Sequence, residues 1–171
     1  MGYTTFFTGE FSITPALKPE HKAYLKAFSR VRHVAWCAQI GGQADPVRLA
    51  VGLPVGENGT YYVGDVDPYG GLALDHNGTP PGVPGLWCHW RPYTDTSLAW
   101  DGSEKFYDYE AWLEYLIEHF LAPWGYAVEG TVEFQGEASD DRGVIGIKGN
   151  KVRTYTAPPF KAPSLDEIFA E

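Results

Sequence analysis

Cysteine is scarce in this 171-residue chain: Cys37 and Cys88 lie far apart and lack the CxxC spacing of a zinc or redox site. Both are expected to be buried, reduced thiols, and no metal site is expected. Long apolar runs are missing as well. Phe6, Phe7, Phe11 and Ile13 are interleaved with Thr, Gly, Glu and Ser, and no window approaches the length that spans a bilayer or builds a signal peptide. The expected location is the cytoplasm. Positive charge is in deficit, with 13 Lys and Arg against 22 Asp and Glu and a formal net charge of −9. Such a chain repels phosphate backbones and anionic lipid surfaces, which argues against direct nucleic-acid or membrane binding. Glycine-rich phosphate loops are absent: Gly41-Gly42 and Gly70-Gly71 have neither the lysine nor the strand-to-helix context of a Walker or Rossmann loop. No cofactor is expected. Asn58-Gly59-Thr60 and Asn77-Gly78-Thr79 read as Asn-Gly turns rather than glycosylation acceptors.

What the chain has in surplus is aromatic side chains, 15% of the sequence, with 6 Trp and 11 Tyr. One reading is a core built of large rings. The other is a pocket or interface where rings stack on a ligand or partner.

Apolar residues alternate through 4–14, which predicts a strand with Gly9 as a bulge and with Phe6, Phe7, Phe11 and Ile13 buried. Pro15 stops it. A first helix follows from Pro19, with Tyr24, Leu25, Phe28 and Val31 opposite Lys18, Glu20, Lys22, Lys26 and Arg30. Residues 35–85 form an irregular Gly/Pro-rich insert, with a helical turn over 45–51 and a strand over 60–63. Residues 86–90 and 97–100 read as a hairpin closed by a turn over 92–96. The run 103–126 is an amphipathic helix whose stripe is Phe106, Tyr109, Trp112, Leu113, Leu116, Ile117, Phe120 and Leu121. An antiparallel meander follows over 128–137, 143–148 and 151–156.

The resulting expectation is an α+β fold, an antiparallel sheet with two helices on one face. Its element order is ferredoxin-like, with extra C-terminal strands. It occupies 1–156 as a single domain. Residues 157–171 add a Pro-rich tail, extended over 157–163, in which Ser164-Leu165-Asp166-Glu167 is a capping box for a short final helix.

The segments Pro84-Gly85-Leu86-Trp87-Cys88-His89-Trp90, Glu110-Ala111-Trp112-Leu113-Glu114-Tyr115-Leu116 and Gly136-Glu137-Ala138-Ser139-Asp140-Asp141-Arg142-Gly143 resemble a family of small uncharacterised bacterial and phage- or prophage-borne proteins. Gly2-Tyr3-Thr4-Thr5 and the stretch from Pro19 to Leu25 fit too, while the Gly-rich middle and the Pro-rich tail do not. The resemblance implies a cytoplasmic accessory protein and carries over no catalytic residue.

Candidate sites follow from chemistry. Trp87, His89, Trp100, Asp101, Glu104 and Tyr107 gather rings and carboxylates where the hairpin meets the main helix, and His89 is placed to pair with Asp101 or Glu104. Cys88 and His89 are strand neighbours pointing to opposite faces, so they form no nucleophilic dyad. Arg30, Arg32 and His33 are the phosphate candidates, although cations at a helix end also complement its dipole. Asp108, Glu110, Glu114 and Glu118 form an acidic face suited to a host protein with a basic surface. Glu137, Ser139, Asp140 and Asp141 fall short of an EF-hand. The expectation is a non-catalytic binding or inhibitor protein acting on a host protein or a small nucleotide-like ligand. Its rival is a small hydrolase or transferase using a carboxylate pair in an aromatic pocket.

Overall fold

A computed structural model describes residues 2–156 and 163–170. Contacts group the chain into two units: Met1–Leu17 with His89–Glu171 (unit 1), and Lys18–Cys88 (unit 2).

Unit 1 is built on a fully antiparallel sheet. β1 (Phe6–Thr8) and β2 (Phe11–Thr14) both pair with β7 (Ala127–Gln135) in one continuous register, Phe6 opposite Gln135 and Phe11 opposite Gly130. The expected strand is therefore one line of pairing interrupted at Gly9-Glu10, and no residue is inserted, so the expected bulge is absent. Glycine is needed at position 9 because φ is +107° and a Cβ there would lie 3.2 Å from the Thr131 carbonyl oxygen. Phe7, Phe11 and Ile13 share the buried face, whereas Phe6 is 58% exposed, one residue out of phase with them.

The sheet order is β5 (Trp90–Thr94), β6 (Ser97–Trp100), β2, β7, β8 (Arg142–Lys148), β9 (Lys151–Thr156). With β2, β5, β6 and β7 counted as strands one to four, the first lies between the third and fourth and the second pairs with the third. This is the ferredoxin-like order, extended by β8 and β9, and the α+β expectation holds. The meander boundaries agree with the sequence pattern to within two residues. Gly149 and Asn150 close the β8–β9 hairpin with φ of +57° and +62°, the backbone a two-residue primed turn demands. Asn150 adds two bonds of its own, accepting from Val128 N (2.6 Å) and donating to Tyr126 O (3.1 Å).

Two further sequence expectations change in unit 1. The strand expected over 86–90 begins only at Trp90. Pro92 lies inside β5, on the sheet edge, where its missing N–H costs no ladder bond. The helix expected from residue 103 starts at Tyr109: α3 spans Tyr109–Leu116 and continues as a π-helical turn over Ile117–Leu121. Lys105 and Asp108, with φ of +61° and +55°, break any helix before it. Phe106 is nevertheless buried, from the loop, and Trp112, Leu113, Leu116, Ile117, Phe120 and Leu121 are buried as the stripe requires. The start of α3 is tied to β5 by Trp90 Nε1 donating to Tyr109 O (2.8 Å).

α4 (Leu165–Ile168) opens on its capping box, Ser164 Oγ accepting from Glu167 N at 3.2 Å. It lies on β8 and β9, where Arg153 sets its guanidinium 4.9 Å over the Phe169 ring. The extended segment expected over 157–163 lies outside the described residues save its last.

Unit 2 begins with α1 (Pro19–Phe28), Pro at its first turn and Tyr24, Leu25 and Phe28 buried. Val31 falls beyond its end. A small core of Val34, Trp36, Ile40 and Tyr62 follows. It is braced by two short paired strands, β3 (Ala35–Trp36) and β4 (Ala73–Asp75), that the sequence pattern does not reveal. The helical turn expected over 45–51 is α2 (Pro46–Ala50), capped by Asp45.

The strand expected over 60–63 is a turn instead. Asp45 draws that segment in: its Oδ2 accepts from Arg48 Nε (2.9 Å) and Val63 N (3.2 Å), and Arg48 Nη1 donates to Leu53 O (2.6 Å). Asp45 is 1% and Arg48 7% exposed, so this buried pair, with its bonds to the Val63 and Leu53 backbone, replaces the sheet as the organiser of the loops.

Charge divides unevenly. Residues 18–88 carry six Lys/Arg and six Asp/Glu, while the rest of the chain carries seven and 16, so the whole formal charge of −9 belongs to unit 1.

Candidate functional site

In unit 2, two Asx turns set the frame of a cavity. Asp67 Oδ1 accepts from Tyr69 N (2.9 Å) and Asp75 Oδ1 from Asn77 N (2.9 Å). The first turn presents Tyr69, 66% exposed, with its ring 4.9 Å from that of His76. The second orients Arg32, whose Nε donates to His76 O (2.8 Å) and whose Nη2 donates to Asn77 Oδ1 (2.9 Å). Two of the five guanidinium N–H groups are thereby used, which fixes the plane of the fork and leaves the Nη1 edge to other partners. The same guanidinium stands 5.9 Å from the centroid of Trp87, itself 40% exposed.

These groups line a cavity of about 320 Å³ together with Arg30, Trp36, Tyr62 and Asp65. Trp36 and Tyr62 belong to the core, their rings 5.9 Å apart in an edge-to-face contact, so this part of the wall is rigid. Burial, followed by the charges of Asp45 and Asp65, raises the Tyr62 phenol above its usual range and keeps it protonated. The cavity thus offers flat rings and two cations, Arg32 held by its hydrogen bonds and Arg30 exposed at the lining, the complement of an aromatic molecule that carries an anion.

Of the three phosphate candidates, Arg30 and Arg32 face this cavity and His33 does not. His33 is buried, with its Nε2 donating to Phe28 O at 2.9 Å and its ring 4.2 Å from that of Phe28. Burial pushes its pKa down to about 4, so it is a neutral core residue at the end of α1.

The six residues expected at the junction of hairpin and helix are divided between the units. Trp87 lies in unit 2, in the wall just described; His89, Trp100, Asp101, Glu104 and Tyr107 lie in unit 1. There His89 Nδ1 and Asp101 Oδ2 meet at 3.0 Å, with the imidazole edge-on to Phe106. Asp101 Oδ1 also accepts from Ser103 N (2.8 Å). Burial works to raise the Asp101 pKa, and the hydrogen bonds from His89 and Ser103 outweigh it, leaving the carboxyl below its ordinary value. Trp100 packs on Phe6 and Phe7 and donates from Nε1 to Ser103 O (3.1 Å). Glu104 is exposed, and the Tyr107 hydroxyl accepts from Tyr3 N (3.0 Å).

The other carboxylates are placed as follows. Asp108, Glu110, Glu114 and Glu118 are all exposed, and Glu114 and Glu118 border a groove that also holds Lys151 and Arg153. Asp141 accepts from the Tyr3 hydroxyl (2.6 Å) and Glu137 from Thr4 N (2.6 Å), which makes this loop a clasp for the N-terminal segment. Among the described residues no three His, Cys, Asp or Glu side chains converge as metal ligands do.

Trp36, Tyr62, Asp65 and Tyr69 were not singled out by sequence reasoning. The signal was the run Asp65-Val66-Asp67-Pro68-Tyr69-Gly70, a turn pattern that presents a ring. No family model, curated protein or solved structure matches the chain.

Proposed function

We propose that the chain is a non-catalytic binding protein for a small nucleotide-like ligand, an aromatic ring system bearing phosphate, received in the unit 2 cavity. One observation carries this: Arg30 and Arg32 share a cavity of about 320 Å³ with Trp36, Tyr69 and Trp87. Guanidinium forks match phosphate oxygens bidentately, and base-on-aromatic stacking is worth about 1–3 kcal/mol per base. Unit 2 is formally neutral, so the acidity of the whole chain does not weigh on this reading. The volume lies at the small end of ligand sites and suits one heterocycle with its sugar phosphate. Native mass spectrometry of protein purified from cells tests the reading. A retained adduct of nucleotide mass, lost on denaturation and missing from an Arg32→Ala/Trp87→Ala variant, is expected; adduct-free spectra from both proteins would contradict it.

A second reading is favoured by the confinement of the −9 charge to unit 1 and by the exposure of Asp108, Glu110, Glu114 and Glu118. This face would dock on the basic surface of a host protein, in the phage-borne setting that the sequence resemblance implies. Reversing the four charges should abolish capture of such a partner and leave the fold intact, with binding that weakens steeply in salt. Capture unchanged by the reversal would leave the face a solvated surface.

A further inference from the structure

The sheet of unit 1 ends on β9, and among the described residues no strand pairs with the far side of β9. The primed turn at Gly149-Asn150 makes Lys148 and Lys151 a hydrogen-bonded pair, so Gly146 with Arg153 and Val144 with Tyr155 are bonded pairs too. The N–H and C=O groups of Val152, Thr154 and Thr156 therefore point away from β8, a row of donors and acceptors spaced to receive a further strand.

This edge runs between two walls of opposite charge. Val152 and Thr154 are in register with Ile147 and Ile145, on the face where Tyr109 of α3 packs on Phe7 and Phe134; Arg153 is in register with Gly146, on the face where α4 sits. Glu114, Ile117 and Glu118 border the groove beside β9 from the α3 side, and Lys151, Arg153 and Phe169 border it from the other. All four charged side chains are on exposed residues, and among the described residues no salt bridge joins the two glutamates to the two cations. A strand laid along β9 sends successive side chains to opposite faces, so alternate residues meet the glutamates and those between them meet Lys151 and Arg153.

Resting on the second reading above, in which the acidic face docks on a host protein, we propose that β9 accepts an extended segment of that partner as an additional strand, with basic side chains toward α3 and acidic ones toward α4. Main-chain bonds to Val152, Thr154 and Thr156 supply the attachment, and the alternation of charge selects the segment and its register. A second copy fits poorly. Antiparallel pairing of β9 with its own image brings like wall to like wall, Glu114 and Glu118 toward their counterparts and Lys151 and Arg153 toward theirs.

The test is a nuclear magnetic resonance titration of the full ¹⁵N-labelled chain with two end-blocked eight-residue peptides of one composition: Lys and Glu in strict alternation, and four Lys followed by four Glu. The alternating peptide is expected to bind at least fivefold more tightly. At saturation it should slow amide exchange at Val152, Thr154 and Thr156, while Arg153 and Tyr155, already bonded to β8, change little. Glu114→Lys/Glu118→Lys should remove the preference between the peptides. Equal binding of the two isomers, or binding without slowed exchange at those three amides, would overturn strand addition; if that binding were still lost on the charge reversal, the acidic-face reading would stand. Binding of neither peptide would overturn the strand proposal and leave the docking reading to its own test, capture by the parent against the four-charge variant. The comparison between isomers on the parent protein holds whether or not the variant folds.

Discussion

His89 and Asp101 are joined by a 3.0 Å contact between Nδ1 and Oδ2, at the point where the backbone also pairs, Asp101 N donating to His89 O at 2.9 Å. The pair fixes the loop that leads from β6 toward α3. Asp101→Ala is expected to cost about 1.5–3 kcal/mol in urea unfolding at neutral pH, the range for a hydrogen bond to a charged group. Because the Asp101 carboxyl is held below its ordinary value of 3.8, its stabilisation is complete above that pH and is lost as pH falls through the folded-state value. The penalty of the substitution should therefore shrink in acid. A penalty that persists undiminished at the lowest accessible pH would show that packing, not the charged pair, is responsible.

His33 sets a second and separate pH dependence. Its pKa, pushed by burial from 6.5 to about 4, means that the unfolded chain takes up a proton where the folded chain does not. Stability is then complete above pH 6.5 and falls as pH drops toward 4, by about 3 kcal/mol from this residue. His33→Gln, which keeps a donor for the Phe28 carbonyl, should flatten the slope of unfolding free energy between pH 4.5 and 6.5. An unchanged slope would contradict the assignment.

Asp45 is the keystone of the loops in unit 2. Removing it leaves Arg48 buried without its partner and Val63 N without its acceptor, so Asp45→Ala should destabilise by about 3–5 kcal/mol. Trp36 and Tyr62 stand on this framework, and the variant should lose ligand binding at temperatures where α1 is still helical by circular dichroism. Retained binding would show that the cavity wall does not depend on the ion pair.

Trp112, fully buried on α3 among Leu113, Leu116 and Phe120, should cost about 3–5 kcal/mol when replaced by alanine. A melting temperature within a degree or two of the parent would mean that the stripe carries little of the core.

Local periodicity was a good guide where structure is local. The meander, the first helix, the Asp45 turn and the Ser164 cap were legible because hydrogen-bonding partners lie close in sequence. Helix onset was not: the stripe from Phe106 onward has helical spacing, and only the left-handed backbone at Lys105 and Asp108 separates the buried loop residue from the helix proper. Unit 2 was the least legible, since β3 and β4 pair across about 40 residues and are two and three residues long. Of the candidate site, Arg30, Arg32 and Trp87 could be named from chemistry alone. Their grouping could not, because Asn77, Asp67 and the Trp36 floor that bring them together are fixed by long-range turns.

The most direct test of ligand binding in unit 2 is a nuclear magnetic resonance titration of the full ¹⁵N-labelled chain with purine and pyrimidine nucleoside monophosphates. Amide shifts should be confined to residues around 30–36, 62–69 and 87, with the side-chain indole signals of Trp36 and Trp87 moving together and Arg32→Ala suppressing all of them. Shifts centred on residues 101–118, or none at millimolar nucleotide, would contradict the account.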